Sequence, residues 1–266
     1  MKRLLSLAFV AALSVVFTAA AGANQRSHSV GAAYTIANAA AGNELVVYSR
    51  SSDGSLAYAD SVPAGGTGTG AGLASQGAVT LTPDGRYVLA VSPGLNTVAA
   101  FTVDSRGARL LDTAPSGGNR PVSLTVSKNL VYVLNNDNAA PATVSGFTLG
   151  SAGLTPLAGS TRTLNAGATD AAQVKLSPDG ATLVVTGRSS QRIDTFPVLA
   201  DGRLGALGSF DPAPGGTPFG FDFDNKGHLL VSLAGVGSSS GAASYALGAT
   251  GALATITPRS RRARAA

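Results

Sequence analysis

No cysteine occurs anywhere in the sequence. That excludes disulfides, thiolate nucleophiles and cysteine-ligated metal, so stability must come from a packed core. Histidine is nearly as scarce, with only His28 and His228. His28 lies in the lead before the first strand and His228 just after a DNKG turn, so no histidine pair offers an ordinary zinc site. Helical periodicity is almost absent, and after Asn24 no apolar run is long enough to cross a membrane. The folded body also lacks a basic footprint. Of nineteen Lys and Arg, two (Lys2, Arg3) open the chain and four (Arg259, Arg261, Arg262, Arg264) close it, leaving thirteen against fourteen acids between. The overall charge of +5 therefore belongs to the two ends, and no nucleic-acid partner is expected.

What is present begins with Lys2 and Arg3, an apolar and small-residue stretch from Leu4 to Ala20, and then Ala21, Gly22 and Ala23. This is the pattern of a secretory signal with an A-x-A cleavage site over residues 1–23. The alternative is an uncleaved anchor, but the stretch is near the lower limit for a span of about 17 residues, and the small-residue run favours removal. The expected location is secreted or periplasmic, with no membrane contact after cleavage. About 240 remaining residues suffice for one large all-β domain, 24–258.

That domain is repetitive. An aromatic-ended strand followed by a glycine turn and another apolar pair appears as LVVYSRSSDGSL, TVAAFTVDSRGARL, TVSGFTLGSAGL, RIDTFPVLADGRL and AASYALGATGAL. Its turn glycines, Gly54, Gly107, Gly153, Gly202 and Gly251, are 53, 46, 49 and 49 residues apart. A period near fifty built only of strands indicates propeller blades. A second block, strand–PDG–strand, precedes the first: AVTLTPDGRYVLAVS and QVKLSPDGATLVVTG, with weaker copies from Val122 and Phe219. Proline presets φ and glycine accepts positive φ, which makes these segments tight turns. Together the blocks give four strands per unit, a to d.

Five units result, and the first has only strands b, c and d, from Ala32 to about Ser61. The others begin at Gln76, Pro121, Ala172 and Pro218, and the last strand is expected to end near Thr257. A propeller normally closes by pairing strands from its two ends in one blade, which removes exposed edges. Beyond Pro258 the sequence has only RSRRARAA, a basic low-complexity segment read as a disordered tail (259–266). The expected fold is therefore an all-β propeller with five four-stranded blades, the ring open or incomplete. A closed five-bladed ring is the competing arrangement.

The phrases GRYVLAVSPGLNTVAAFTV, SGGNRPVSLTV, GFTLGSAGLTPLAGSTRTL, AQVKLSPDGATLVVTGRSSQRIDTFPV and GGTPFGFDFDNKGHLLVS closely resemble secreted bacterial members of the lactonase family. These are seven-bladed propellers similar to 6-phosphogluconolactonase and carboxymuconate cyclase, and the resemblance covers the mature chain up to Pro258. It implies seven blades where five are visible, hence a truncated reading of a longer protein with about two blades missing.

Strand order puts the a–b and c–d turns on one side and the d–a and b–c loops on the other. Residues at the starts of strand a (Gln76, Arg120, Gln173, Phe219) and the ends of strand b (Asn38, Ser92, Asn135, Gly187) fall at equivalent places around the mouth. Lactone hydrolysis needs a base for water and a cation or donors for the oxyanion. Asp170 or Asp137 is the candidate base and Arg120 or Arg188 the candidate cation, with Gln76, Gln173, Asn38 and Asn135 as substrate contacts. The competing role for each is a solvated loop charge or an amide cap on a strand end. Neither a metal nor a cofactor is expected.

GGTGTGAG (65–72) has GxGxxG-like spacing, but no helix follows it. It reads as an enlarged d–a loop able to lie over the mouth, since PAGG recurs as PSGG at Pro115 and PGG at Pro214. Asp53, Asp84, Asp179, Asp201 and Asp224 sit in turns and need no other role. Lys175 and Asp222 hold matching positions on neighbouring strands a and are placed to pair between blades. Two functions from different classes follow. One is a secreted lactone hydrolase acting on a small lactone or carbohydrate-like ligand as a monomer. The other is a non-catalytic propeller binding a sugar, peptide or wall component, or an inactive fragment.

Overall fold

The computed structural model describes residues 29–212, 216–235 and 240–260. The predicted signal (1–23), His28 and the last six residues lie outside the described residues. Every regular element described is a β-strand, and the strands form five separate antiparallel sheets.

Blade 1 contains β1 (Ser29–Ile36), β2 (Glu44–Ser51) and β3 (Leu56–Pro63). Blade 2 contains β4 (Val79–Leu81), β5 (Tyr87–Ser92), β6 (Thr97–Asp104) and β7 (Gly107–Pro115). Blade 3 has β8 (Pro121–Ser127), β9 (Leu130–Asn135) and β10 (Thr143–Gly150), with an outer edge split into β11 (Gly153–Pro156) and β12 (Arg162–Thr163). Blade 4 runs β13 (Ala171–Leu176), β14 (Thr182–Gly187), β15 (Arg192–Pro197) and β16 (Gly208–Phe210). Blade 5 is β17 (Thr217–Phe223), β18 (Leu229–Ala234), β19 (Gly241–Leu247) and β20 (Leu253–Ser260). Among the described residues the first unit has three strands, and no sheet joins the first blade to the last.

Two boundaries differ from the repeat reading. Blade 4 has only a Val198–Leu204 bridge where its outer strand was expected to start, and β16 begins at Gly208. At the C-terminal end, β20 continues to Ser260, which stands opposite Ala242, so the strand runs two residues into the predicted tail.

The turns form by the chemistry of their residues. Asp53, Asp84, Asp179, Asp201 and Asp224 each accept a hydrogen bond from the backbone N–H two residues on. A glycine with φ between 70° and 87° closes each of these turns. The PAGG and PSGG segments carry the chain between blades at close range. A Cβ on Gly66 would lie 2.5 Å from Thr97 Oγ1, and one on Gly118 would lie 2.8 Å from Asn135 Cβ, so glycine is needed for the crossing.

The core lies between blades rather than inside any one of them. Leu45 and Val47 of blade 1 pack with Val88, Ala90 and Phe101 of blade 2. Leu89 and Val98 of blade 2 meet Leu124 and Phe147 of blade 3. Tyr132 and Leu134 meet Val185 and Phe196, and Val184 and Ile193 meet Val231 and Tyr245. Stacked sheets bury alternate residues on each face. Hence β5, β9 and β14 are buried on both faces, whereas β18 alternates buried and exposed along its whole length. The Lys175–Asp222 ion pair forms between blades 4 and 5 at 2.5 Å, as their matching positions suggested.

Candidate active site

Three inner strands begin with the same irregularity. The β8/β9 register shifts between Pro121 and Ser123, β13/β14 between Ala171 and Gln173, and β17/β18 between Pro218 and Phe221. A bulge bends the strand and redirects side chains and carbonyls near it. Here the freed carbonyls knit the mouth together. Phe219 O accepts from Thr186 Oγ1 at 2.6 Å, Val122 O from Ser75 Oγ at 2.7 Å, and Ala172 O from Gln76 N–H at 3.0 Å.

Those last two bonds show where blade 2's missing inner-strand residues went. β4 has only three residues because Ser75–Gly77 leaves its own sheet and bonds to blades 3 and 4, with Leu124 N–H also donating to Gly77 O at 2.8 Å. Gln76 thus stands among the inner strands, with Gln173, Phe219, Gly220 and Asp222 lining the same cleft.

The candidate residues separate into different kinds of position. Asn38, with φ of 49°, grips the glycine-rich loop. Its Nδ2 donates to Ala71 O at 2.7 Å, and its Oδ1 accepts from Thr69 N–H at 3.0 Å. Gln173 is buried, and both ends of its amide are committed to the backbone of Phe221. Asn135 is buried, donating to Ser116 O at 3.2 Å, and it lines a small cleft with Asn119 and Asp137. Asp137 Oδ1 accepts from the N–H groups of Ala139 and Ala140 at 3.0 and 3.3 Å. The Ala139 amide, foremost among its partners, holds its carboxyl below the usual carboxylate range and makes it a weak base. Arg120 has φ of 53° and directs Nη1 to Asn136 O at 2.9 Å, bracing the blade 3 b–c loop.

Arg188 and Asp170 are brought together. The Arg188 backbone N–H donates to Asp170 O at 2.8 Å, which fixes the two loops. Arg188 Nη2 then donates to Asp170 Oδ1 at 2.6 Å, with the side chains 25% and 34% exposed. The guanidinium carbon lies 5.3 Å from the centre of the Phe219 ring, within cation–π range. Arg188 Nε is buried and has no hydrogen-bond partner among the described residues. Asp170 Oδ2 receives no hydrogen bond from the described residues. The pair lines a cleft of about 560 Å³ together with Ser189, Thr217, Phe219, Ala234 and Gly235. Sequence reasoning placed Phe219 at the mouth but missed its cation–π contact with Arg188. Its only signal was its position, level with Arg120 and Gln173 at the start of strand a.

Among the described residues no group of three or more His, Cys, Asp or Glu is arranged to hold a metal ion. His228 Nδ1 lies 2.9 Å from Asp224 Oδ2 in the turn from β17 to β18, on the side opposite the mouth.

The architecture and this arginine–carboxylate cleft define a β-propeller whose candidate site sits among its d–a and b–c loops. The family described as lactonase, 7-bladed beta-propeller, matches residues 28–160 and 143–260. The chain belongs to that family. Among curated protein sequences none matches the chain. Its fold is shared with a Lactobacillus plantarum protein at 21% identity and a TM-score of 0.65, covering 82% of this chain and 66% of that one. It is similar to the periplasmic gluconolactonase of Pseudomonas aeruginosa at 21% identity and TM-score 0.62, covering 89% of this chain and 70% of that one. A candidate 6-phosphogluconolactonase of Bacteroides uniformis aligns at 18% identity and TM-score 0.56, covering 86% and 83%. The chain thus spans just under two thirds of the first of these structures.

Proposed function

We propose that the chain hydrolyses a lactone, acting as a secreted or periplasmic enzyme, with Arg188 and Asp170 as its working pair. The observation that carries this reading is the 2.6 Å ion pair at the lip of the cleft, backed by Phe219. A lactone carbonyl needs its developing oxyanion stabilised, and a part-buried guanidinium does that better than one in bulk water. Attack needs a base, and Asp170 Oδ2 is the open carboxylate oxygen beside that cation. Water held by Oδ2 adds to the carbonyl carbon and gives its proton to Asp170. The tetrahedral intermediate collapses with cleavage of the ring C–O bond, and the proton returns to the alkoxide, leaving a hydroxy acid.

Family membership supports lactone chemistry, and the Lys2–Ala23 segment supports export. The test is acid release from a panel of sugar and aliphatic lactones, followed by pH-stat. Arg188→Met and Asp170→Asn are each expected to lower kcat/KM by about 100-fold or more. No turnover of any lactone, or full turnover by both variants, would reject the assignment.

A further inference from the structure

Blade 3 passes from strand b to strand c differently from its neighbours. Its b–c loop spans 136–142, seven residues, where blades 2 and 4 use four each, 93–96 and 188–191. Enlarged loops on a rigid sheet are favoured places for binding. The residue before the loop also departs from the repeat. Asn135, opposite Pro121 and Thr143, holds the position of Ser92 in blade 2 and Gly187 in blade 4. A glycine serves there, so the blade itself needs no amide at this point. Asn135 is 2% exposed, and its Nδ2 is committed to Ser116 O. Its Oδ1 accepts no hydrogen bond from the described residues. Buried acceptors are nearly always paired, and an open one on a residue that lines a cleft calls for a donor from outside the chain.

Two segments build that cleft, and they offer opposite hydrogen-bonding character. On the d–a side, the backbone N–H groups of Gly117, Gly118 and Asn119 donate to no described residue. On the b–c side, Asp137 Oδ1 is taken by the loop's own N–H groups, and Oδ2 has only a 3.4 Å contact from Asn119 Nδ2. Asp137 is the one charged residue lining the cleft, and its bond from the Ala139 amide, foremost, keeps it ionised. An anion is repelled by that carboxylate, and a metal ion finds a single carboxylate beside unpaired N–H groups. A hydroxyl suits both sides, because it accepts from an N–H and donates to Asn135 Oδ1 or Asp137 Oδ2. Pro141 and Ala142 add apolar surface for the C–H face of a ring. The cleft holds about 230 Å³, room for one small ring and less than a drug-sized ligand needs.

We propose that the blade 3 cleft is a carbohydrate site that takes one neutral monosaccharide ring through neighbouring hydroxyls, separate from the Arg188–Asp170 pair. No residue lines both clefts. Asn136 Nδ2 donates to Ala171 O at 3.0 Å, which ties the blade 3 loop to the strand that follows Asp170 and holds the two clefts apart. Binding here needs neither the guanidinium nor lactone chemistry.

Amide NMR titration of the purified chain with methyl glucoside, methyl galactoside and methyl mannoside tests this. At least one is expected to shift the Gly117, Gly118 and Asn119 amides saturably, in the millimolar range that a single small ring allows. Asn135→Ser copies the residue of blade 2, and Asn119→Ala changes an exposed side chain. Each is expected to weaken that binding about fivefold to tenfold, and Arg188→Met to leave it unchanged. An undisturbed amide spectrum away from the cleft verifies that the variants keep the fold. No saturable shift with any of the three glycosides, shifts centred on Arg188 and Asp170, or wild-type affinity in both cleft variants would overturn the proposal. So would calcium chloride producing these shifts where the glycosides do not.

Discussion

The side-chain amide of Gln173 pairs with the backbone of Phe221 as a neighbouring strand would. Its Nε2 donates to Phe221 O at 2.9 Å, and its Oε1 accepts from Phe221 N–H at 2.9 Å. The bulge at Phe219 and Gly220 takes the start of β17 out of simple register, and this amide ties blade 5 to blade 4 there. Gln173→Ala would strand two buried backbone groups, at about 1–3 kcal/mol apiece before relaxation. Gln173→Glu keeps the shape but supplies no donor for the carbonyl. Both are expected to lower the urea midpoint, and an unchanged midpoint for Gln173→Ala would remove this clamp from the account.

The glycine-rich loop makes a sharper comparison between neighbouring positions. A Cβ on Gly68 would fall within the backbone of Asn38, whereas one on Gly72 would meet nothing within 4 Å. Neither has positive φ, so the difference is one of space alone. Gly68→Ala is expected to destabilise by roughly 1–3 kcal/mol through forced backbone movement, with a clear fall in Tm. Gly72→Ala is expected to leave Tm unchanged or slightly raised, because alanine restricts the unfolded chain. Equal effects at the two positions would show that Asn38 does not hold the loop as described.

Much of this architecture was legible in the sequence because its punctuation is chemical. An Asp two residues ahead of a turn N–H and a Gly near it specify a local geometry, so the five turns and the three-stranded first blade could be read directly. The matched positions of Lys175 and Asp222 also followed from the repeat. What could not be read were departures from it. Ser75–Gly77 resembles the start of any other inner strand, and its route to Val122 and Ala172 depends on blades more than forty residues away. In the same way, Gln173 looked like a mouth residue because it sits at a mouth position. Only the bulge in the next blade shows that its amide is already committed.

Acid sensitivity follows from the two PDG turns. Ser177 Oγ donates to Asp179 Oδ1 and Thr82 Oγ1 to Asp84 Oδ1, each at 2.6 Å. The Ser177 hydroxyl is foremost in holding Asp179 below the usual carboxylate range, and the Thr82 hydroxyl does the same for Asp84. Because the folded-state value is the lower one, the unfolded chain binds more protons in the interval between them. The stabilisation is complete above the unfolded value of about 3.9 and is lost as pH falls toward the folded value. The urea midpoint of wild type is expected to drop between about pH 5 and pH 3. Asp179→Asn should start lower at neutral pH and fall less steeply, and a curve parallel to wild type would show that this carboxylate does not contribute.

Arg188 has two partners that differ in kind, and this separates charge from orientation at the proposed site. Asp170 fixes Nη2 by an ion pair, while the Phe219 ring supports the face of the guanidinium. Lysine has no planar fork to lie on a ring while directing a second donor, so Arg188→Lys keeps the charge and loses the geometry. It is expected to forfeit most of the lactone turnover. Phe219→Leu keeps apolar volume under the guanidinium and removes only the π face, about 1 kcal/mol of positioning or a several-fold fall in kcat/KM. Because Phe219 touches the cation and not the reacting bond, its loss should broaden the Arg188 side-chain NMR signal in the free protein. It should also leave the pH profile of turnover in place. A Phe219→Leu enzyme indistinguishable from wild type in both rate and spectrum would mean that the stack does not orient Arg188.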